Sequence, residues 1–297
     1  MRRPRNVELM LLSAIVLWAL NLTLSRYILT HGLLPLAYST VRYGVASAIF
    51  VVLALALERS LRPPCGEWRW VVAASCTLWL NQIFFVYALR TTTASTVALV
   101  LGATPIVAAL LGLALGTERP SHRFWLGAAL SFAGVGLVAV GSGGEISGGL
   151  GGILLAVLTA STWAAYSVAV TPLMAHASAI RVSAVILPLA WVGIAVVGAA
   201  QVARQDWSSL GADVWAVVGI AILGPLVITN LIWFRVLERI GPARATLATN
   251  LQPFVAAVFA VILLSETITW VQVAGGAFVA AGILVARRRA LVQVGAE

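Results

Sequence analysis

Apolar residues run along this chain for about twenty positions at a time, separated by short clusters of arginine, glycine, proline and small polar residues. A helix needs about 20 residues to cross about 30 Å of hydrocarbon. Divided at its polar punctuation, the sequence predicts ten such spans, over residues 8–29, 36–57, 68–89, 94–115, 124–141, 151–171, 179–202, 214–236, 244–264 and 271–287. The connecting loops are short. Arg2, Arg3 and Arg5 ahead of the first run resemble the opening of a signal peptide. No A-x-A-like cleavage site follows Leu20, so the run is expected to stay as the first helix.

Sliding the chain on itself by 148 positions places Pro105 on Pro253, Glu118 on Glu266, Gly127 on Gly275 and Gly134 on Gly282 without a gap. Residues 107–109 fall on the identical residues 255–257, and Leu89 and Leu99 on Leu237 and Leu247. The chain therefore reads as a duplicated five-span unit: a first repeat at 1–141, a glycine-rich linker at 142–150, a second repeat at 151–289 and a tail at 290–297. An odd number of spans per unit makes the two copies cross in opposite directions. Inverted repeats are a recurrent plan of secondary transporters, whose halves rock about a site near the bilayer midplane. The expected fold is an all-α integral membrane protein of ten transmembrane helices, in two inverted five-helix repeats.

Composition sharpens this picture. With 61% hydrophobic and 10% charged residues and a mean hydropathy of +1.00, the chain is neither a cytosolic enzyme nor a disordered scaffold. Its net charge of +9 comes from arginine alone, because the sequence has no lysine. Those arginines sit in loops, without a continuous basic face, so nucleic acid is not an expected partner. Alternating the loops puts fifteen of the 19 on one side, including those of both termini, which assigns that side and both termini to the cytoplasm. The expected location is the inner (plasma) membrane, multi-pass, with the lipid bilayer as surroundings and a small molecule as substrate.

Several chemistries lack residues to carry them. Cys65 and Cys76 have no Cys or His at ligand spacing, so neither a disulfide framework nor a metal site is expected. There is no H-E-x-x-H, no G-x-S-x-G and no Walker loop, and no cofactor or catalytic residue is expected. No Asp, Glu or His lies in the middle third of any span, which leaves a carboxylate proton relay unsupported and favours facilitated diffusion or an unconventional coupling.

Polar and aromatic positions inside the spans are the candidates for a substrate cavity, since such groups are costly in hydrocarbon unless satisfied. Trp18, Asn21 and Ser25 share one face of the first span. Trp79, Asn81, Gln82 and Phe85 fall in the third, and Trp163, Tyr166 and Ser167 in the sixth. Thr229, Asn230 and Trp233 fall in the eighth, and Thr246, Thr249, Asn250 and Gln252 in the ninth. Aromatic faces take apolar groups and cations, and amides bond amino or carboxylate groups without a fixed charge, a combination suited to a small zwitterion. The same Asn, Thr and Ser also serve as hydrogen-bonded glue between helices. Arg42, about six residues inside the second span, is open to two uses: a gate or substrate-carboxylate contact, or snorkelling to the interface. Pro105 and Pro253, being repeat mates, are the hinge candidates. Spans five and ten carry Gly127, Gly134, Gly136, Gly275, Gly276 and Gly282 but almost no polar side chains, and read as peripheral packing helices or a homodimer face. Glu118 and Glu266, at span ends, are expected to cap or pair there.

The run from Trp18 to Asn21, the Arg42-Tyr43 pair and the stretch from Ala88-Leu89 through Pro105 to Glu118 resemble the EamA family of the drug/metabolite transporter superfamily. Asn230, Gly241-Pro242-Ala243, Pro253, Glu266 and Gly275 repeat the likeness in the second half. Arg26 stands where that family commonly has lysine, and Ser265 where glycine often precedes the glutamate. The resemblance implies a ten-helix exporter acting by alternating access on amino acids, related metabolites or drugs. Neutral or aromatic amino acids are the preferred substrates here. Drugs, nucleosides and other metabolites remain alternatives, as do a non-transporting membrane subunit and a membrane enzyme acting on a lipid or prenyl chain.

Overall fold

The computed structural model describes residues 5–61, 66–91, 97, 100–141, 150–255, 258–259 and 269–287. The expected linker up to residue 149, Cys65, Ser265, Glu266 and the tail at 290–297 lie outside the described residues. Among the described residues the regular structure is helical, with no strand. In chain order the helices are α1 (Arg5–Thr30), α2 (Pro35–Glu58), α3 (Trp68–Thr91), α4 (Thr104–Ala114), α5 (His122–Gly141), α6 (Leu150–Met174), α7 (Ala179–Arg204), α8 (Ala212–Ile222), α9 (Thr229–Ile240), α10 (Pro242–Thr249) and α11 (Trp270–Arg287). A π-helical turn, Leu223–Ile228, joins α8 to α9. Six described helices are long and apolar enough to cross a membrane: Pro35–Glu58, Trp68–Ala88, His122–Gly141, Leu150–Met174, Ala179–Arg204 and Ala212–Ile240. Val7–Asn21, Thr104–Ala114 and Trp270–Ala286 are shorter apolar helices.

The chain forms two compact units, and each takes segments from both sequence halves. The first joins Met1–Tyr87 to Ala165–Ile240, and the second joins Ala88–Ala164 to Gly241–Glu297.

In the first unit α2 packs antiparallel on α7, and both ends of the pair are clasped. Leu34, which precedes α2, has no side-chain oxygen to cap it. Glutamines from the end of α7 take that role: Gln205 Oε1 accepts the Leu34 N–H at 2.7 Å and Gln201 Oε1 accepts the Leu36 N–H at 2.8 Å. These are two of the donors that a helix start leaves without an internal partner. At the opposite end Glu58 pairs with Arg181 at 2.8 Å and accepts the Ser178 hydroxyl, while Ser178 also caps the start of α7. Between the clasps, Gly44 leaves room for the Trp191 indole, whose N–H donates to the Thr40 carbonyl at 2.9 Å. The π-helical turn forms where Pro225 supplies no N–H, and the Thr229 hydroxyl takes the Gly224 carbonyl at 3.1 Å.

In the second unit α5 and α11 pack antiparallel through glycine. A Cβ built at Gly134 would lie 2.6 Å from the Gly275 carbonyl and 2.7 Å from the Val279 nitrogen. Gly127 and Gly282 face each other in the same way, one heptad along. The glycine faces of the fifth and tenth expected spans are thus turned on one another, which brings backbone against backbone as membrane helices do where small residues allow it. A core of Ala108, Ala109, Phe124, Ala128, Leu247 and Ala286 lies beside them.

Past α4 the chain reverses at Gly116, whose φ of 68° is left-handed, and Thr117 and Glu118 return their N–H groups to the Gly112 carbonyl. This turn aims Glu118 at the start of α10, where its carboxylate accepts the Ala243 N–H beside Arg244. Gly241, with φ of 74°, lets the backbone pass against that carboxylate. Glu118, expected to cap or pair at its own span end, instead caps α10 from the loop that follows α4.

Two outcomes follow from this packing. Gly134→Leu forces a side chain into the Gly275 and Val279 backbone and is expected to destabilise the protein by about 3 kcal/mol or more. Gly219→Ala, at a helical glycine with nothing within 4 Å of the added methyl, is expected to be neutral or stabilising by about 0.5–1 kcal/mol. Melting temperatures of the two purified variants in detergent check the contrast. Burial holds the Glu118 carboxyl above its ordinary range, against the opposing pull of the Ala243 N–H and Arg244. The folded state then binds this proton more tightly than the unfolded one. Its stabilisation is present below the unfolded-state pKa and is lost as pH rises through the folded value. Melts between about pH 4 and about pH 8 should show the wild type losing stability relative to Glu118→Gln; a constant difference would refute the assignment.

Candidate functional site: the buried polar clusters

α1, α2, α3, α6 and α9 bring most of the expected cavity residues into the first unit. Trp18 meets Trp233 edge to face, with ring centroids 4.9 Å apart. Trp233 follows the π-helical turn by one helical turn and is fully buried. Asn230, at the same start of α9, lies beside the Tyr166 hydroxyl and donates from Nδ2 to the Ser183 hydroxyl at 3.4 Å. Tyr166 in turn stands 6.3 Å from Phe234, centroid to centroid. Buried indole, phenol and amide groups from α1, α6 and α9 thus occur in the same unit.

Arg42 is the one arginine expected well inside a span, and its side chain is packed within the first unit at 8% exposure. The guanidinium carbon lies 5.8 Å from the Tyr38 ring centroid and 5.9 Å from that of Tyr43, within the range of cation–π attraction. Tyr38 is held from its far end by Ser25, hydroxyl to hydroxyl at 3.3 Å. Arg42 Nε has no hydrogen-bond partner, and the same is true of Asn21 Oδ1, Ser47 Oγ and Trp79 Nε1. Buried polar atoms in folded proteins are satisfied with few exceptions. Four orphans on α1, α2 and α3 concentrate unused hydrogen-bonding capacity in one unit.

On α3 the expected residues go different ways. The Trp79 indole packs across Gly193 of α7, a contact that any Cβ at that glycine would obstruct. Gln82 is half-buried and donates to its neighbour Asn81 at 3.2 Å, while Phe85 is half-buried nearer the end of the helix.

Trp163, Asn250, Pro105 and Pro253 belong to the second unit. Pro105 does not bend the middle of a helix: it opens α4 after a turn at Gly102 and Ala103. Pro253 likewise follows a turn, at Asn250 and Leu251. The two turns are repeat mates at the 148-residue offset, and they touch. Asn250 Nδ2 donates to the Gly102 carbonyl at 3.1 Å and to Ser131 Oγ at 3.0 Å. Ser131 is fully buried on α5, so that helix contributes a polar contact beyond its expected packing role. Among the described residues no three of His, Cys, Asp and Glu gather as a metal site.

Sequence reasoning missed Tyr38, Ser183, Phe234 and Ser131. Tyr38 precedes Arg42 by one helical turn and was accessible from that spacing. A lone serine in an apolar run, such as Ser131 or Ser183, carries no such signal.

The described helices, six of them long and apolar enough to cross a membrane, carry their polar clusters among apolar residues. The model of the EamA-like transporter family matches residues 5–140 and again 150–288, and the chain belongs to that family. It is 23% identical over 288 residues to the uncharacterized transporter YyaM of Bacillus subtilis (strain 168), covering 95% of this chain and 93% of that one. To the uncharacterized transporter YwfM of the same organism it is 26% identical over 166 residues, 53% of this chain and 55% of that one. A solved crystal structure shares the fold, with a TM-score of 0.76 at 21% identity over 96% of this chain and 97% of that one.

The paired turns generate a prediction. Asn250→Leu leaves the Gly102 carbonyl and the Ser131 hydroxyl without their shared donor, and is expected to cost about 1–3 kcal/mol. Asn250→Gln with Ser131→Ala is the control for volume, and denaturation of the purified variants reads the difference.

Proposed function

We propose that this chain is an exporter of the cell's inner membrane that moves small metabolites, foremost amino acids with neutral or aromatic side chains, by alternating access. In this reading ten spans form two inverted repeats, 1–141 and 151–289, with both termini cytoplasmic. The turns before Pro105 and Pro253 are its hinges. The observation that supports it most is the cluster of the first unit, where Trp18, Tyr166, Asn230 and Trp233 place aromatic faces and amide donors inside a transporter fold. Aromatic walls suit an apolar side chain, and amides and hydroxyls suit the charged end of an amino acid without fixing one charge sign. The absence of an acid in the middle of any span supports movement down the substrate's own gradient.

Counterflow of labelled amino acids in liposomes containing the purified protein tests the reading. Saturable exchange of phenylalanine or another neutral amino acid is expected, insensitive to an imposed pH gradient. Asn230→Ala is expected to slow that exchange by about tenfold or more at equal insertion, the value of one lost buried hydrogen bond. Exchange at the wild-type rate would remove Asn230 from the substrate path, and no amino-acid exchange at all would remove the substrate assignment.

A further inference from the structure

Arg42 breaks the pattern of charge in this protein. In the same unit the carboxylate of Glu58 is paired with Arg181, and that of Asp213 accepts the Tyr27 hydroxyl at 2.6 Å. Arg42 is more than nine-tenths buried, its guanidinium meets tyrosine rings, and among the described residues it has no carboxylate partner. Removing a cation from water without an anion is costly, and ring faces offset only part of that cost. Residues inside a membrane protein that carry such a cost mark substrate or ion paths. The unpartnered atom is informative too. A guanidinium grips a carboxylate through two parallel N–H donors, and Nε is one of the five N–H donors of that fork. The guanidinium carbon lies against the rings of Tyr38 and Tyr43, and the Tyr38 hydroxyl meets that of Ser25.

Among the described residues the buried carboxylate oxygen without a hydrogen-bond partner is Glu67 Oε2, which stands in the loop before α3 and outside the spans. No acid lies in the middle third of a span, and the unused acceptor Asn21 Oδ1 takes a hydrogen bond from a hydroxyl as readily as from an amine. Resting on the transport reading above, we propose that Arg42 is the carboxylate receptor of the site. Its substrate class is then apolar or aromatic monocarboxylates, in which the carboxylate is required and the amino group is dispensable.

The test uses the full chain with three probes of one shape: phenylalanine, phenyllactate with a hydroxyl in place of the amino group, and phenylalaninamide without the carboxylate. Unlabelled probes compete with labelled phenylalanine in liposome counterflow, and each probe's shift of the melting temperature is measured in detergent. Phenyllactate is expected to act within about threefold of phenylalanine, and phenylalaninamide to be weaker by about thirtyfold or more, the loss typical of one partner of a buried charged pair. Arg42→Gln should erase this discrimination and, being relieved of an unpaired buried charge, melt no lower than the wild type without ligand. Arg42→Lys keeps the charge without the fork and should retain part of the preference, which reads the role even if the glutamine variant folds poorly. Equal action of phenyllactate and phenylalaninamide, or discrimination unchanged in both variants, would overturn the proposal. If phenylalanine fails to exchange, the amino-acid reading falls. The melting shift by phenyllactate still decides this one: a shift lost in Arg42→Gln upholds it, and no shift overturns it.

Discussion

A backbone N–H or C=O in hydrocarbon has no water to turn to, so every place where a helix starts, stops or loosens must find its partner inside the protein. That constraint accounts for the positions of the polar side chains here better than any catalogue of polar residues. Where α2 begins without a capping residue, two glutamines of α7 reach its free N–H groups. Where Pro225 withholds a donor the chain widens into a π-helical turn, and the Thr229 hydroxyl donates to the Gly224 carbonyl within it. Where the helical run stops at Gly102, the amide of Asn250 takes the exposed carbonyl. Each irregularity is tolerated because one specific side chain answers it, and each answering residue ties two segments together. The places where the helices bend are therefore also places where they are fastened.

Close approach is the second consequence. Helices surrounded by lipid gain little from hiding apolar surface from one another, so packing and short-range contact must hold them. α5 and α11 achieve this by giving up side chains at Gly127, Gly134, Gly275 and Gly282 and letting their backbones touch. The energy lies in many small dispersion contacts, each of which falls away steeply with separation. In the first unit the arrangement is inverted. Gly44 and Gly193 make room for the indoles of Trp191 and Trp79, so α7 is held by large aromatic groups seated in or across small positions.

How much of this the sequence disclosed follows from what each signal measures. The apolar runs and the 148-residue repeat were legible because hydropathy and residue identity are properties of the chain alone, whereas the turns at Gly102 and Asn250 that interrupt two expected spans were not. The repeat paired Pro105 with Pro253 as hinge candidates inside continuous spans, without the turns that precede them. That Asn250 would bond its own repeat mate Gly102 depends on how segments fold back, which no one-dimensional pattern records. The glycines of the fifth and tenth spans announced close packing without naming a partner, and the structure shows α5 and α11 packed on each other. Glu118 was legible as a cap but not as the cap of α10, since the turn that aims it depends on the left-handed backbone of Gly116. The assembly of each compact unit from both halves was not legible at all. A helix that is apolar around most of its circumference has no stripe to say which neighbour it prefers.

Arg42 shows the limit of pattern and the value of accounting. From position alone, a residue about six places inside a span can reach the interface or face the interior, and the sequence left both open. The structure places the side chain among Tyr38 and Tyr43, and the remaining question becomes one of satisfaction rather than direction. The starts of α2 and α10, the π-helical turn and the paired breaks have polar groups answered from within the protein, while Arg42 Nε stands with Asn21 Oδ1, Ser47 Oγ and Trp79 Nε1 among the described atoms that do not. A sequence able to supply Gln201, Gln205, Thr229 and Asn250 at the required points had the means to supply a carboxylate beside Arg42 as well. Local rules that a protein keeps elsewhere are broken at sites where the missing partner arrives from outside. A resident carboxylate would make the resting state more comfortable and would close the fork to any other anion. Leaving the guanidinium against tyrosine rings keeps it desolvated while its Nε–H stays available, the condition under which a charged substrate group gains most by arriving.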